Sequence, residues 1–153
     1  MNRYSHLSWP IVSFVIVLCD QVTKLVARLF LKNNHLRANA FLSFEYSENT
    51  GAAWSIFKGH ASVLALLGLA TMATLVLFRR SFIAAGQKFS VAMVFGGILG
   101  NTIDRIFHGY VTDFVSLDLK FYRWPTFNIA DVAILFGVAI LLFTFQRKSQ
   151  EAR

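Results

Sequence analysis

Ala61-Ser62-Val63-Leu64-Ala65-Leu66-Leu67-Gly68-Leu69-Ala70-Thr71-Met72-Ala73-Thr74-Leu75-Val76-Leu77-Phe78 runs without a single charged residue. About 20 apolar residues in a helix cross a hydrocarbon core about 30 Å thick, and this stretch is close to that length. Three more apolar blocks lie around it, over about 9–30, 89–106 and 127–145. The first is interrupted by Asp20, Lys24 and Arg28, and the third ends in polar residues. The chain has 153 residues, 56% of them hydrophobic and only 15% charged. That is too little charge to cover a soluble domain of this size. The expected fold is an all-α membrane protein of four transmembrane helices, forming one domain over 1–153.

The connections between blocks are unequal. Residues 79–88 make a short basic loop, 31–60 a long polar one, and 107–126 one of intermediate length. Arg3, Arg79, Arg80, Lys88, Arg147, Lys148 and Arg153 fall on one side, against Lys32, Arg37, Lys58, Lys120 and Arg123 on the other, 7 against 5. The second group is offset by Glu45, Glu48, Asp113 and Asp118, whereas the first meets only Glu151. Basic flanks stay in the cytoplasm, so both termini are expected there. Phe41-Leu42-Ser43-Phe44-Glu45-Tyr46 is rich in strand formers and predicts a small periplasmic β-rich segment between the first two helices, its aromatics at headgroup depth.

The net charge of +7 would suggest nucleic acid in a soluble protein. Here the basic flanks of membrane spans account for it, and no nucleic-acid partner is expected. Cys19 is the one cysteine, which leaves no intrachain disulfide and no cysteine-built metal site. Ile16-Val17-Leu18-Cys19 has the outline of a lipoprotein processing site. Leu18 is too bulky before the cysteine, however, and the apolar block continues past it, which favours a retained helix over a cleaved signal peptide.

Charge inside the apolar blocks is costly, about 2.5–3.5 kcal/mol for an acid at mid-span on insertion scales. Asp20 and Lys24 are one helical turn apart and can pair on one face, either as a packing device or as part of a site. Gly96-Gly97-Ile98-Leu99-Gly100-Asn101-Thr102-Ile103-Asp104-Arg105 combines glycines that let helices approach with Asn101 and Asp104 on a shared face. Asp113 follows in Gly109-Tyr110-Val111-Thr112-Asp113-Phe114. Asp131 closes Phe127-Asn128-Ile129-Ala130-Asp131, where Asn128 can serve as a helix N-cap and Asp131 can complement the positive helix end.

Asp113 and Asp131 are both expected at the outer end of the bundle. Two carboxylates brought together cannot both ionise easily and share a proton. One then activates water while the other protonates the scissile carbonyl oxygen or leaving amine. Rival chemistries are poorly supplied. His6, His35, His60 and His108 are scattered, without the HExxH spacing of a metal site, and no Gly-x-Ser-x-Gly is present. No metal or other cofactor is expected. Two non-peptidase readings stay open: a proton- or ion-coupled transport component using Asp20, Asp104 and Asp131 as a relay, and a purely structural protein whose buried charges only hold helices together.

Five ordered blocks carry a resemblance: Asp20-Gln21-Val22-Thr23-Lys24; Asn49-Thr50-Gly51-Ala52-Ala53-Trp54; the stretch Gly96 to Arg105; Val111-Thr112-Asp113-Phe114; and Phe127 to Asp131. Together they resemble the lipoprotein signal peptidases, or signal peptidase II, over nearly the whole chain. The resemblance implies an aspartic endopeptidase of the bacterial inner membrane. It would act at the periplasmic face on prolipoproteins, cleaving just before a diacylglyceryl-modified cysteine. It maps the catalytic pair onto Asp113 and Asp131, and site-lining or supporting positions onto Asp20, Lys24, Asn49, Gly51, Asn101, Asp104, Arg105, Asn128 and Ala130. On this reading the lipid chains of the substrate stay in the bilayer, Asn49, Asn101 and Asn128 bind its extended backbone, and one copy of the chain suffices. Trp54 stands where the family usually has phenylalanine, and Val132 where it commonly has serine.

Overall fold

The computed structural model of the chain describes residues 8–51 and 57–151. Arg3 and Arg153 of the charge count, His6 of the scattered histidines, and Ala52, Ala53 and Trp54 of the second block lie outside the described residues. The elements run α1 (Ser8–Phe30), β1 (Leu36–Arg37), β2 (Leu42–Asn49), α2 (Ala61–Leu77), α3 (Arg79–Ala84), α4 (Lys88–His108), β3 (Val111–Asp118), β4 (Arg123–Phe127) and α5 (Ile129–Glu151). The protein is mostly helical with one small antiparallel sheet. Two helical stretches, Trp9–Phe30 and Ile129–Arg147, are long and apolar enough to cross a membrane, and Ala61–Leu77 is a shorter apolar helix.

The bundle is apolar outside, and its interior combines a small apolar cluster, Leu75, Val91 and Val94, with buried polar and charged side chains. Phe14, Leu18, Val22, Leu25 and Leu29 of α1 are exposed, while Ser13, Asp20, Lys24 and Ala27 are buried. The buried positions recur at helical spacing and mark one face, which packs on α4. Pro10 falls in the first turn, where its missing N–H removes no helical bond. A face bearing an acid and a lysine is tolerable in a membrane helix only when it looks into the bundle.

α4 is the central helix. It packs against α1, α2 and α5, whereas α2 and α5 have almost no contact with each other among the described residues. Close approach needs the glycines. A Cβ on Gly97 would lie 2.4 Å from the Ala130 carbonyl oxygen, and one on Gly100 would lie 2.5 Å from Asp20 Oδ2. The small residues of the third block are therefore a seam onto both α1 and α5.

The sheet has the order β1-β2-β3-β4, with every neighbour antiparallel. This corrects the expectation of β structure only between the first two helices. Half of the sheet comes from the connection between α4 and α5. β3 pairs Val111 with Asn49, Asp113 with Ser47 and Leu117 with Leu42. On its other edge Val115 pairs with Phe127 and Asp118 with Arg123. β4 runs to Phe127, so α5 opens two residues later than the apolar block begins. The basic loop also contains a short helix, α3, that the sequence reading treated as a loop.

Candidate active site

The strand–helix junctions bring together residues far apart in sequence. Asp113 sits on β3 and is 1% exposed. Asn49, ending β2, donates from Nδ2 to Asp113 Oδ2 at 3.0 Å. Asn128, the residue between β4 and α5, donates from Nδ2 to Asp113 Oδ1 at 2.7 Å and to Asn101 Oδ1 at 3.2 Å. Burial, and then the negative charge of Asp131, push the Asp113 carboxyl up to about 7, against the lowering influence of the Asn49 and Asn128 amides and of Lys24.

Asp131 lies in the first turn of α5. Its N–H donates to Asn128 Oδ1 at 2.9 Å, and its Oδ2 accepts the Asn128 N–H at 3.3 Å. This is the reciprocal arrangement of a capping box. The expected N-cap role of Asn128 is thus present, and the same side chain reaches Asp113. From α4, Asn101 donates from Nδ2 to Asp131 Oδ1 at 2.8 Å.

Behind these groups is a buried ionic layer. Lys24 Nζ lies 2.8 Å from Asp20 Oδ2 and 3.3 Å from Asp104 Oδ2, with all three side chains fully buried. Asp20 Oδ1 accepts the Ala130 N–H at 2.9 Å, which ties α1 to the first turn of α5. Asp104 Oδ2 also accepts the Thr112 N–H at 2.9 Å, fixing the start of β3 one residue before Asp113. Arg105 donates from a terminal nitrogen to the Gly51 carbonyl at 2.9 Å.

A cavity of about 1220 Å³ opens beside the pair. Asn49, Gly51, Asn101, Arg105, Asp113 and Asp131 line its polar end, while Leu64 and Leu67 of α2 and Ile134 and Leu135 of α5 line an apolar wall. Val132 also borders it. Among the described residues no group of His, Cys, Asp and Glu side chains is placed to hold a metal ion.

All the site residues named from sequence therefore join one connected cluster. Asn49 and Asn128 direct their amides at Asp113, and Asn101 directs its amide at Asp131. Arg28 and Thr112 were missed. Arg28 reaches Asp104 Oδ1 at 3.4 Å and donates to Thr112 Oγ1 at 2.9 Å. The available signal was position: Arg28 is one turn beyond Lys24 on the same helix face.

The family described as Signal peptidase (SPase) II matches residues 12–147. The lipoprotein signal peptidase of Thermodesulfovibrio yellowstonii is 38% identical over 136 residues, covering 88% of this chain and 92% of that protein. The lipoprotein signal peptidase of Haemophilus ducreyi is 32% identical, with 99% of each covered. A solved bacterial membrane enzyme, obtained by the in meso method, superposes with a TM-score of 0.85 at 27% identity, covering 95% of this chain and 92% of its own. A second structure of the same description gives 0.77 at 27% identity, covering 90% and 92%. Asp113 and Asp131 line one cavity of the bundle, and these matches show that the chain belongs to the signal peptidase II family of aspartic peptidases.

Proposed function

We propose that the chain removes signal peptides from bacterial prolipoproteins, cleaving just before the diacylglyceryl-modified cysteine, with Asp113 and Asp131 as the catalytic pair. The observation that carries this reading is the convergence of both carboxylates on one cavity through the shared partner Asn128. The ionised carboxylate takes a proton from water, whose oxygen attacks the scissile carbonyl carbon. The protonated carboxyl gives its proton to the carbonyl oxygen. As the tetrahedral species collapses, the C–N bond breaks and the amine leaves with a proton from the pair. Asn49, Asn101 and Asn128 hold the two carboxyl groups in register. Arg105 stands by for the negative charge that develops.

The apolar cavity wall suits a substrate whose acyl chains remain in lipid. Four spans with both termini cytoplasmic are supported by three features. α2 is about 26 Å long at 1.5 Å per residue, α4 is a longer helix buried among the others, and the Arg79–Lys88 connection is basic. In that orientation the sheet and the aspartates lie at the periplasmic face of the inner membrane. One domain and one copy suffice, since every group of the site comes from a single chain.

The test is cleavage of a diacylglyceryl-modified precursor by purified protein with a chelator present. Processing should survive chelation and vanish in Asp113→Asn and in Asp131→Asn. Normal processing by either variant would end the assignment of the pair.

A further inference from the structure

Lys24 belongs to α1, is fully buried, and contacts neither member of the aspartate pair. Its ammonium has three acceptors: Asp20 Oδ2 at 2.8 Å, Asp104 Oδ2 at 3.3 Å and Asn101 Oδ1 at 2.9 Å. The two carboxylates already compensate its charge. The third contact, to a neutral carboxamide, does something else. An ammonium can only donate, so it accepts only the oxygen of the Asn101 side chain as a neighbour. The nitrogen of that carboxamide must then point the other way, and it donates to Asp131 Oδ1 at 2.8 Å. Asn128 supports the same orientation by donating to Asn101 Oδ1 at 3.2 Å, with a nitrogen that also serves Asp113.

We propose that Lys24 is a positioning residue for the peptidase reaction, holding the Asn101 carboxamide so that its N–H stays on Asp131. The inference rests on the catalytic assignment of Asp113 and Asp131. The reversed carboxamide would turn its oxygen toward Asp131 and withdraw that donor. Lys24 thereby fixes, through one neutral side chain, the donor that Asp131 meets. Among the described residues, the charged and titratable groups around the pair include Asp20, Lys24 and Arg28 from α1, Asp104, Arg105 and His108 from α4, and Glu48 and Lys58 along the cavity.

The test is the pH–rate profile of purified protein on a diacylglyceryl-modified precursor peptide, for wild type, Lys24→Met, Asn101→Leu and the double variant. In Lys24→Met the acid limb should move to higher pH by about one unit, a tenfold change in the proton equilibrium, with KM little changed. Asn101→Leu should move the same limb in the same direction, and the double variant should move it no further. A lysine that only holds helices together, or that acts on Asp113 directly through its charge, would give an effect independent of Asn101, so that the double variant moves the limb by the sum of the two single shifts. That pattern would overturn the proposal. Should Lys24→Met not accumulate, Asn101→Leu decides alone, because the effect must pass through Asn101: an unmoved limb there overturns it too. Failure of the catalytic assignment would look different, as retained activity in Asp113→Asn or Asp131→Asn.

Discussion

Asn128 and Asp131 grip each other twice, the Asp131 N–H on Asn128 Oδ1 at 2.9 Å and the Asn128 N–H facing Asp131 Oδ2 at 3.3 Å. The same asparagine reaches back to Asp113 at 2.7 Å. One residue thus caps a helix and bonds to both acids. Asn128→Ala should cost about 1 kcal/mol of stability through the lost cap. The loss of activity should be larger, on the order of 10²-fold, because both carboxyl groups lose register. Thermal melts in detergent beside cleavage rates would separate the two effects. Equal losses in both would show that the residue is only a cap.

Asp113 gives the fold a pH dependence with a definite sign. Its carboxyl, 3.8 in the unfolded chain, is pushed up to about 7 in the fold. Below the lower value it is protonated in both states. Between the two it keeps its proton only when folded, so the folded state binds more protons and stability falls as pH rises. Above about 7 the contribution levels off. Melting curves between pH 4 and pH 8 should therefore show the wild type losing stability relative to Asp113→Asn as pH rises. Parallel curves would mean that the carboxyl is not perturbed.

The pH–rate profile should contain a limb near pH 7 that belongs to the coupled pair as a unit. Initial rates on a lipid-modified precursor across pH 5 to 9 would reveal it. A profile flat through that window would contradict a shared proton at this site.

The helix contacts that hold Asp131 in place are also testable. A Cβ on Gly97 meets the Ala130 carbonyl at 2.4 Å, a main-chain atom that cannot swing aside. Gly97→Ala should destabilise by about 1–3 kcal/mol and reduce turnover, since the first turn of α5 carries the carboxylate. Unchanged melting and unchanged rates would show that α4 and α5 are less closely apposed.

The helices and the chemistry-bearing residues are legible in the sequence for physical reasons. Apolar runs such as 61–78 mark helices that water cannot surround, and Asp20, Lys24 and Asp104 stand out because charge is rare in or beside such runs. β3 was not legible. Its residues Val111, Thr112, Asp113 and Phe114 are all buried, so the apolar–polar alternation of a half-solvated strand is missing. Pairings such as Asp20 with the Ala130 N–H and Asn49 with Asp113 join distant parts of the chain. No local pattern encodes them, and the same holds for the contacts of the asparagine amides with the acids.

The lateral seam between α2 and α5 has a kinetic meaning. Both helices lean on α4 rather than on each other, and the cavity lies between them. In the proposed four-span orientation, a lipid-anchored chain drifting in the plane of the bilayer would meet that seam edge-on. The encounter rate then follows the number of precursors per unit area of membrane, not per unit volume. Adding empty lipid at constant bulk concentration should slow processing as dilution slows a reaction in solution.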